Sequence, residues 1–537
     1  MNFIQFSCLL IFLCLDSCAF ILDYTKDPNE EKTVILLAFS GLPSDALHAN
    51  RMPTLQQLAA DGVLAIHKRS AFQTETLPVL HTLVTGRHPE KHAMMANKMR
   101  DLRDNANFDV TNKDERWWNA VEPIWISNEK RNDSKSALCF WPGHDVKFEG
   151  AQASLTCSLD RNGTKLSDPF KELTLNYAVK KPFMSMEERM AKVIEWLSMK
   201  HSPNFIAVYF EEPFLTALNH GVSSKEMDAA LHRIEGLVAK LYKELAIFKQ
   251  IRKVNIVITS DAAPIDFEKD KSIYLEDYLD EGLKSAYDVI DDGPIMTVSP
   301  KETSNTHVLF EKWNSSHPNM KVYTKDILPV AFHFNHENRT MPLILVAEKG
   351  WRILPRRITD PNDKRKAAIG FSAANEDTHT LLIAHGPAFR KGVRVNAIDN
   401  VDVYQMLCSA LRLEANAHDG SGYILSKVVA KQDKWYWHIA KTIVESKEGL
   451  TGVIVLLIVL MFAALYLIIH AIYKTTARCN CCQNPNKEEK SIYEYNGKLN
   501  EGKMHLLAKD DDLSGSEIDE DCEINRYEVK YLTAKQT

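Results

Sequence analysis

The chain has 537 residues, 45% hydrophobic and 25% charged, enough for one large folded domain with segments to spare, which excludes a chain disordered throughout. Its formal charge of -6, from 65 basic and 71 acidic residues, has the wrong sign for a nucleic-acid binder or a polybasic membrane tether. The 10 cysteines are sparse and uneven, with only Cys139, Cys157 and Cys408 between residues 20 and 478, so the large middle must fold by its own core.

In chain order, a short apolar run at 3–15 precedes Ser17-Cys18-Ala19, so residues 1–19 are expected to be a signal peptide, which makes the middle of the chain lumenal or extracellular. Continuous apolar runs at 34–39 (VILLAF), 205–210 (FIAVYF), 256–259 (IVIT) and 381–384 (LLIA) predict strands buried on both faces. Helical periodicity lies between them: a helix opens at Pro53 and stops at Gly62, and apolar residues recur at helical spacing through Met190, Val193 and Leu197 and through Leu231, Ile234, Val238 and Leu241. Strands alternating with helices imply an α/β fold, a mostly parallel sheet covered by helices on both faces. No repeat or Pro/Gly linker divides residues 20–425, so they are read as one ectodomain, with a juxtamembrane stalk after it at 426–449.

Residues 450–473 carry no charge, and about 24 residues at ~1.5 Å each cross a ~30 Å hydrocarbon core, so a transmembrane helix is expected there. Residues 474–537, with acidic runs such as Asp510-Asp511-Asp512, are expected to be a disordered cytoplasmic tail. Ser514 and Ser516 are candidate phosphorylation sites, and Cys479, Cys481 and Cys482 candidate acylation sites. The sequons at Asn132, Asn162, Asn314 and Asn338 all precede the span, as a glycosylated ectodomain of a single-pass type I protein in the plasma membrane or an endomembrane requires. Cys139 and Cys157 are candidates for a disulfide in that oxidising compartment, with reduced thiols as the alternative, and Cys408 is expected to be a buried thiol.

In a parallel sheet the chemistry sits at the carboxyl ends of the strands, here Ser40-Gly41, Glu211-Glu212-Pro213-Phe214 and Ser260-Asp261-Ala262. The stretches 72–86 (FQTETLPVLHTLVTG), 97–101 (NKMRD), 122–125 (EPIW), 140–143 (FWPG), 209–213 (YFEEP), 254–261 (VNIVITSD) and 384–389 (AHGPAF) together resemble the ectonucleotide pyrophosphatase/phosphodiesterase family of the alkaline phosphatase superfamily. The resemblance covers residues 33–422 and implies an alkaline-phosphatase-like fold, two zinc ions and a threonine nucleophile at Thr76. It also implies ligands that this chain lacks. The positions of one zinc site read Phe214, Leu218 and Ile369; the other reads Ser40, Thr76, Asp261 and Ala262; an asparagine three residues past the nucleophile reads Val79.

Zinc in a catalytic site takes about three nitrogen, sulfur or ionised oxygen ligands, and three hydrocarbon side chains supply none. One carboxylate and two hydroxyls are a weak second set. Sequence alone therefore predicts no zinc and an unactivated Thr76: a catalytically inactive, membrane-anchored phosphodiesterase-like glycoprotein that acts by binding an unidentified extracellular ligand or protein. Two alternatives stay open, a residual phosphodiesterase on nucleotide or lipid phosphodiesters and an adhesion or trafficking protein using its surface and tail. Among rival site residues, His220 and His81 are weighed as replacement ligands, 88–92 is read as loop, and Ser40, Asp261 and His385 run in the order of a hydrolase triad without its nucleophile elbow. Glu211 and Glu212, adjacent on a strand, point to opposite faces and are read as structural.

Overall fold

The computed structural model describes residues 33–157, 184–248, 250, 253–268, 270–357 and 365–430, with a few isolated positions between 462 and 473. One compact unit spans residues 18–441; the other, residues 1–17 and 442–537, lies almost wholly outside the described residues. The expected signal peptide, the tail, sequon Asn162 and nearly all of the expected span at 450–473 fall outside them too. Among the described residues no helix is long and apolar enough to cross a membrane.

Strand β1 (Thr33–Phe39) is buried along its whole length. Its side chains alternate between two cores: Val34, Leu36 and Ala38 feed one, and Ile35, Leu37 and Phe39 the other. That division is the physical reason for its unbroken apolar run. Further strands β2 (Val63–Arg69), β3 (Ser136–Cys139), β4 (Leu155–Thr156), β5 (Phe205–Phe210) and β6 (Val254–Thr259) join it. Next along the chain comes a four-stranded antiparallel sheet made of β7 (Tyr287–Asp292), β8 (Ile295–Pro300), β9 (Met320–Thr324) and β10 (Leu343–Ala347); β11 (Thr380–His385) and β12 (Val393–Asp399) then complete the main sheet.

The eight strands of the main sheet run in the order β12-β2-β11-β6-β1-β5-β3-β4. All neighbours pair in parallel except β11, which is antiparallel to both β2 and β6, so the sheet is mixed. On one face helix α1 (Pro53–Ala60), α3 (Met186–Leu197) and α5 (Lys225–Ile247) bury Leu55, Met190, Val193, Ile234 and Leu241. On the other, α2 (Thr76–Thr85) and α6 (Asp402–Leu411) bury Leu80, Leu83, Met406 and Leu407. The short helix α4 (Phe214–His220) comes directly after β5. Helix α3 starts at a capping box, with the Ser185 hydroxyl accepting from Glu188 N while the Glu188 carboxylate accepts from Ser185 N.

The antiparallel sheet, with its own core around Met296, Leu309, Trp313 and Leu345, was not foreseen from the sequence. Cys139 and Cys157 form a disulfide, and Cys408 is a buried free thiol whose burial pushes it up to about 12. Of the other sequons, Asn132 and Asn314 are exposed and Asn338 is half-buried.

Where β5 ends, Glu211 accepts two hydrogen bonds from the Arg189 guanidinium of α3, at 2.6 and 3.1 Å, with Arg189 wholly buried and 4.9 Å from the Phe140 ring centre. Glu212 turns the other way and accepts from Thr216 N at 3.0 Å, capping α4. Removing one partner of a buried ion pair leaves an uncompensated charge, so Arg189→Met should destabilise the domain by about 3–5 kcal/mol, read as a lower denaturation midpoint. Arg189→Met/Glu211→Leu should recover much of that loss; equal midpoints for the single variant and the parent protein would refute the assignment.

Candidate active site

Three chain segments meet at the carboxyl edge of the main sheet. Ser40 comes just after β1, Asp261 lies just past β6, and Thr76 opens α2. The Ser40 hydroxyl and the Thr76 hydroxyl both donate to Asp261 Oδ2, each at 2.7 Å. Asp261 Oδ1 accepts from Gly41 N at 3.1 Å and from Ala262 N at 2.7 Å. Gly41 is required here: its φ is +80°, and a Cβ would stand 2.7 Å from the Phe214 backbone. That close approach lets Phe214 N donate to Ser40 O at 2.8 Å, so the start of α4 is tied to the end of β1.

Phe214 and Leu218 of α4 pack with Ala262 and Ile369 in one buried apolar cluster. These are the positions where the family resemblance asks for zinc ligands, and hydrocarbon contacts fill that side of the site. Among the described residues no group of three or more His, Cys, Asp and Glu side chains is placed to hold a metal ion. The donor set does not fit a zinc pair.

Thr76, Glu75 and Asn97 line a cleft of about 670 Å³, counted to its open mouth, together with Phe214, Leu218 and Ile369. Glu75 and Asn97 were not singled out from the sequence as site residues. Asn97 Oδ1 accepts from Leu77 N at 3.0 Å, and Asn97 lines the same cleft as Thr76, so an asparagine is present at the site although the position at Val79 lacks one. Val79 is instead buried in α2, its carbonyl accepting from Asn400 Nδ2 at 2.8 Å. Glu75 Oε2 accepts from Asn97 N at 2.7 Å. Burial and the neighbouring Glu75 carboxylate push Asp291 well above the usual carboxylate range.

Beneath the site lies a further residue that hydrophobic patterning hides, Lys68, wholly buried near the end of β2. Its Nζ donates to Asn400 Oδ1 at 3.0 Å, Ser70 Oγ at 3.2 Å and the Asp261 carbonyl at 3.4 Å. Burial lowers its pKa to about 7, with the negative charge of Asp261 acting against the fall.

The rival histidines go elsewhere. His220 is exposed at the end of α4. His385 pairs with Ile256 near the beginning of β6, the opposite end of that strand from Asp261, so no triad forms. The segment read as loop contains a one-turn helix, Pro89–His92, because Pro at its first position needs no N–H partner. His81 is buried in the core against His92 and Trp118, with ring centres 4.9 and 6.0 Å away.

A family model for Type I phosphodiesterase / nucleotide pyrophosphatase matches residues 34–387. The chain belongs to this family. It is 33% identical over 391 residues to the bis(5'-adenosyl)-triphosphatase enpp4 of Mus musculus, covering 72% of this chain and 79% of that protein. Its identity to ectonucleotide pyrophosphatase/phosphodiesterase family member 5 of Homo sapiens is 30% over 416 residues, 77% of this chain and 81% of that protein. The solved structure of murine ENPP5, an inactive variant in complex with AMP, superposes with a TM-score of 0.66 at 30% identity, covering 74% of this chain and all of that one. The fold is thus alkaline-phosphatase-like.

These relatives overturn the expectation that the chain is not an enzyme. Proteins about a third identical over almost three quarters of it are named as triphosphatases, which points to an enzyme. Physically, losing ligand positions removes one means of activating a hydroxyl, whereas the Thr76–Asp261 contact survives.

Burial holds His81 neutral, lowering it to about 3, and both its ring nitrogens lack partners among the described residues. Between pH 6.5 and 3 the unfolded chain takes up a proton there that the folded one refuses, so stability falls as pH drops through that window. His81→Leu removes no hydrogen bond and should flatten the decline of midpoint with pH. An unchanged slope would disprove this account.

Proposed function

We propose that the folded domain binds nucleotide-type phosphodiesters or pyrophosphates and cleaves them at Thr76, outside the cell or in a lumen, tethered to a membrane by residues 450–473. The supporting observation is the Thr76 hydroxyl, held by Asp261 at 2.7 Å in a cleft of a domain belonging to a phosphodiesterase family. Relatives are named for hydrolysis of bis(5'-adenosyl) triphosphate and for a complex with AMP, which supports a nucleotide ligand.

In this reading Asp261 Oδ2 takes the Thr76 proton as Oγ1 attacks phosphorus, and the bond from phosphorus to the leaving oxygen breaks, that oxygen taking a proton from solvent. The Asn97 amide donates to a non-bridging phosphoryl oxygen as its charge grows. Water then attacks phosphorus, the phosphorus–Thr76 bond breaks, and Oγ1 recovers the proton from Asp261 while the proton of the attacking water passes to solvent. Ser40, Gly41 and Ala262 also donate to Asp261 and hold its carboxyl group in place for that transfer.

The full chain, purified in mild detergent, should hydrolyse a chromogenic phosphodiester, and Thr76→Ala or Asp261→Asn should each lower kcat by about 100-fold or more. Because the donor set does not fit zinc, a chelator should leave the rate within about twofold of its starting value. Turnover that Thr76→Ala leaves intact, or none at all in the parent chain, defeats the proposal.

A further inference from the structure

Outside the Thr76 cleft, two imidazoles lack the partners that buried nitrogens normally have. His67, near the end of β2, and His379, just before β11, stand with ring centres 5.6 Å apart and ring planes at 68°. The Nδ1 atom of each is sealed from solvent and has no hydrogen-bond partner among the described residues, and His379 as a whole is only 8% exposed. Native interiors satisfy nearly all such groups, so two neighbouring rings with open nitrogens ask for a ligand that both can hold.

The surroundings select a metal ion. His379 Nε2 lies 3.2 Å from the Ala373 carbonyl oxygen, and a carbonyl only accepts, so Nε2 carries the proton and Nδ1 presents a lone pair. A far nitrogen held by a backbone carbonyl is how ligating histidines are oriented. Burial lowers the pKa of this ring and keeps it neutral; His67 and Arg69 act in the same direction, and the Ala373 contact and Glu376 act against it. Arg69 is not a free cation, because Asp399 accepts two bonds from it, at 2.8 and 2.9 Å. A dication ~2.0 Å from one nitrogen of each ring, with a tetrahedral angle between them, sets ring centres roughly 5–6 Å apart, as these two are.

The same turn offers a third ligand. Residues Glu376–Thr378 form a 3-10 turn that ends at His379, whose N donates to Glu376 O at 2.9 Å. Side chains three positions apart on such a turn lie one above the other, and the Glu376 carboxylate is exposed and free of ion pairs among the described residues. We propose that His67 and His379, with Glu376 turning in as third ligand and water in the fourth position, bind a zinc-class dication that fastens the turn before β11 to the end of β2. Two imidazoles and a carboxylate suit zinc, whereas calcium and magnesium take oxygen sets. None of the three residues lines the Thr76 cleft, and the proposal is independent of what that cleft does.

The full chain in mild detergent, its exposed thiols alkylated, is stripped with a chelator, dialysed against buffered zinc and assayed for bound metal beside His67→Phe, which keeps the ring packing and removes the nitrogen. The parent should retain one zinc per chain more than the variant, so that binding by other histidines cancels in the comparison. Cobalt(II) in place of zinc should add the visible absorption of a four-coordinate ion to the parent and not to His67→Phe. Should that variant fail to fold, Glu376→Gln, changed at an exposed position, carries the test through a loss of zinc affinity of about tenfold or more. Equal zinc content in parent and His67→Phe, or in the second case an affinity that Glu376→Gln leaves unchanged, overturns the proposal.

Discussion

A carboxylate sealed from water cannot remain without partners, and Asp261, with no exposed surface, organises the carboxyl edge of the sheet through that demand. Its two oxygens collect the hydroxyls of Ser40 and Thr76 and the amides of Gly41 and Ala262, drawing together the ends of β1 and β6 and the first residue of α2. Lys68, also wholly buried, sits behind it and bonds to its carbonyl and to Asn400, which in turn holds Val79 of α2. The nucleophile candidate is therefore positioned by a network that starts at one acid and reaches four elements. Hydrogen bonds in such a network reinforce one another because no solvent competes for the donors.

The same edge shows two opposed tendencies. On one side of Thr76 the cluster of Phe214, Leu218, Ala262 and Ile369 offers only van der Waals contact. On the other, Glu75, Asn97 and Asp292 line the cleft with polar groups. Hydrocarbon in place of ligands makes sense energetically, since a carboxylate or imidazole left without its ion would be a buried polar group without a partner. The exchange does not remove the hydroxyl or its carboxylate acceptor. Missing ligands therefore do not entail missing activity, and relatives named as hydrolases stand against that step.

Much of the fold was readable in one dimension. The runs at 34–39, 205–210, 256–259 and 381–384 are strands of the main sheet, since a strand packed on both faces needs apolar side chains at every position. The antiparallel setting of β11 was not readable, because burial on both faces looks alike in either direction. Nor was the sheet of β7 to β10, whose outer strand β7 is only partly buried and reads as polar. At the site, Thr76, Ser40 and Asp261 were found from their motifs and do converge, whereas Asn97 and Lys68 were passed over. Asn97 stands 21 positions after Thr76 in a polar stretch, and Lys68, between His67 and Arg69 at the end of its strand, reads as part of a solvated basic end.

Residue identity alone settled which atoms are available: a threonine hydroxyl, one carboxylate, and no donors at Phe214, Leu218 and Ile369. Side-chain chemistry dictates that much, and no fold can alter it. Tertiary structure decided which of those atoms meet. Contacts between residues 185 to 221 positions apart, such as Thr76 and Ser40 with Asp261, depend on strand order and loop path. So does the meeting of His67 with His379, 5.6 Å between ring centres. Local pattern records what a residue buries against its own neighbours in the chain, but charges and hydroxyls distant in sequence find one another only once the sheet has closed.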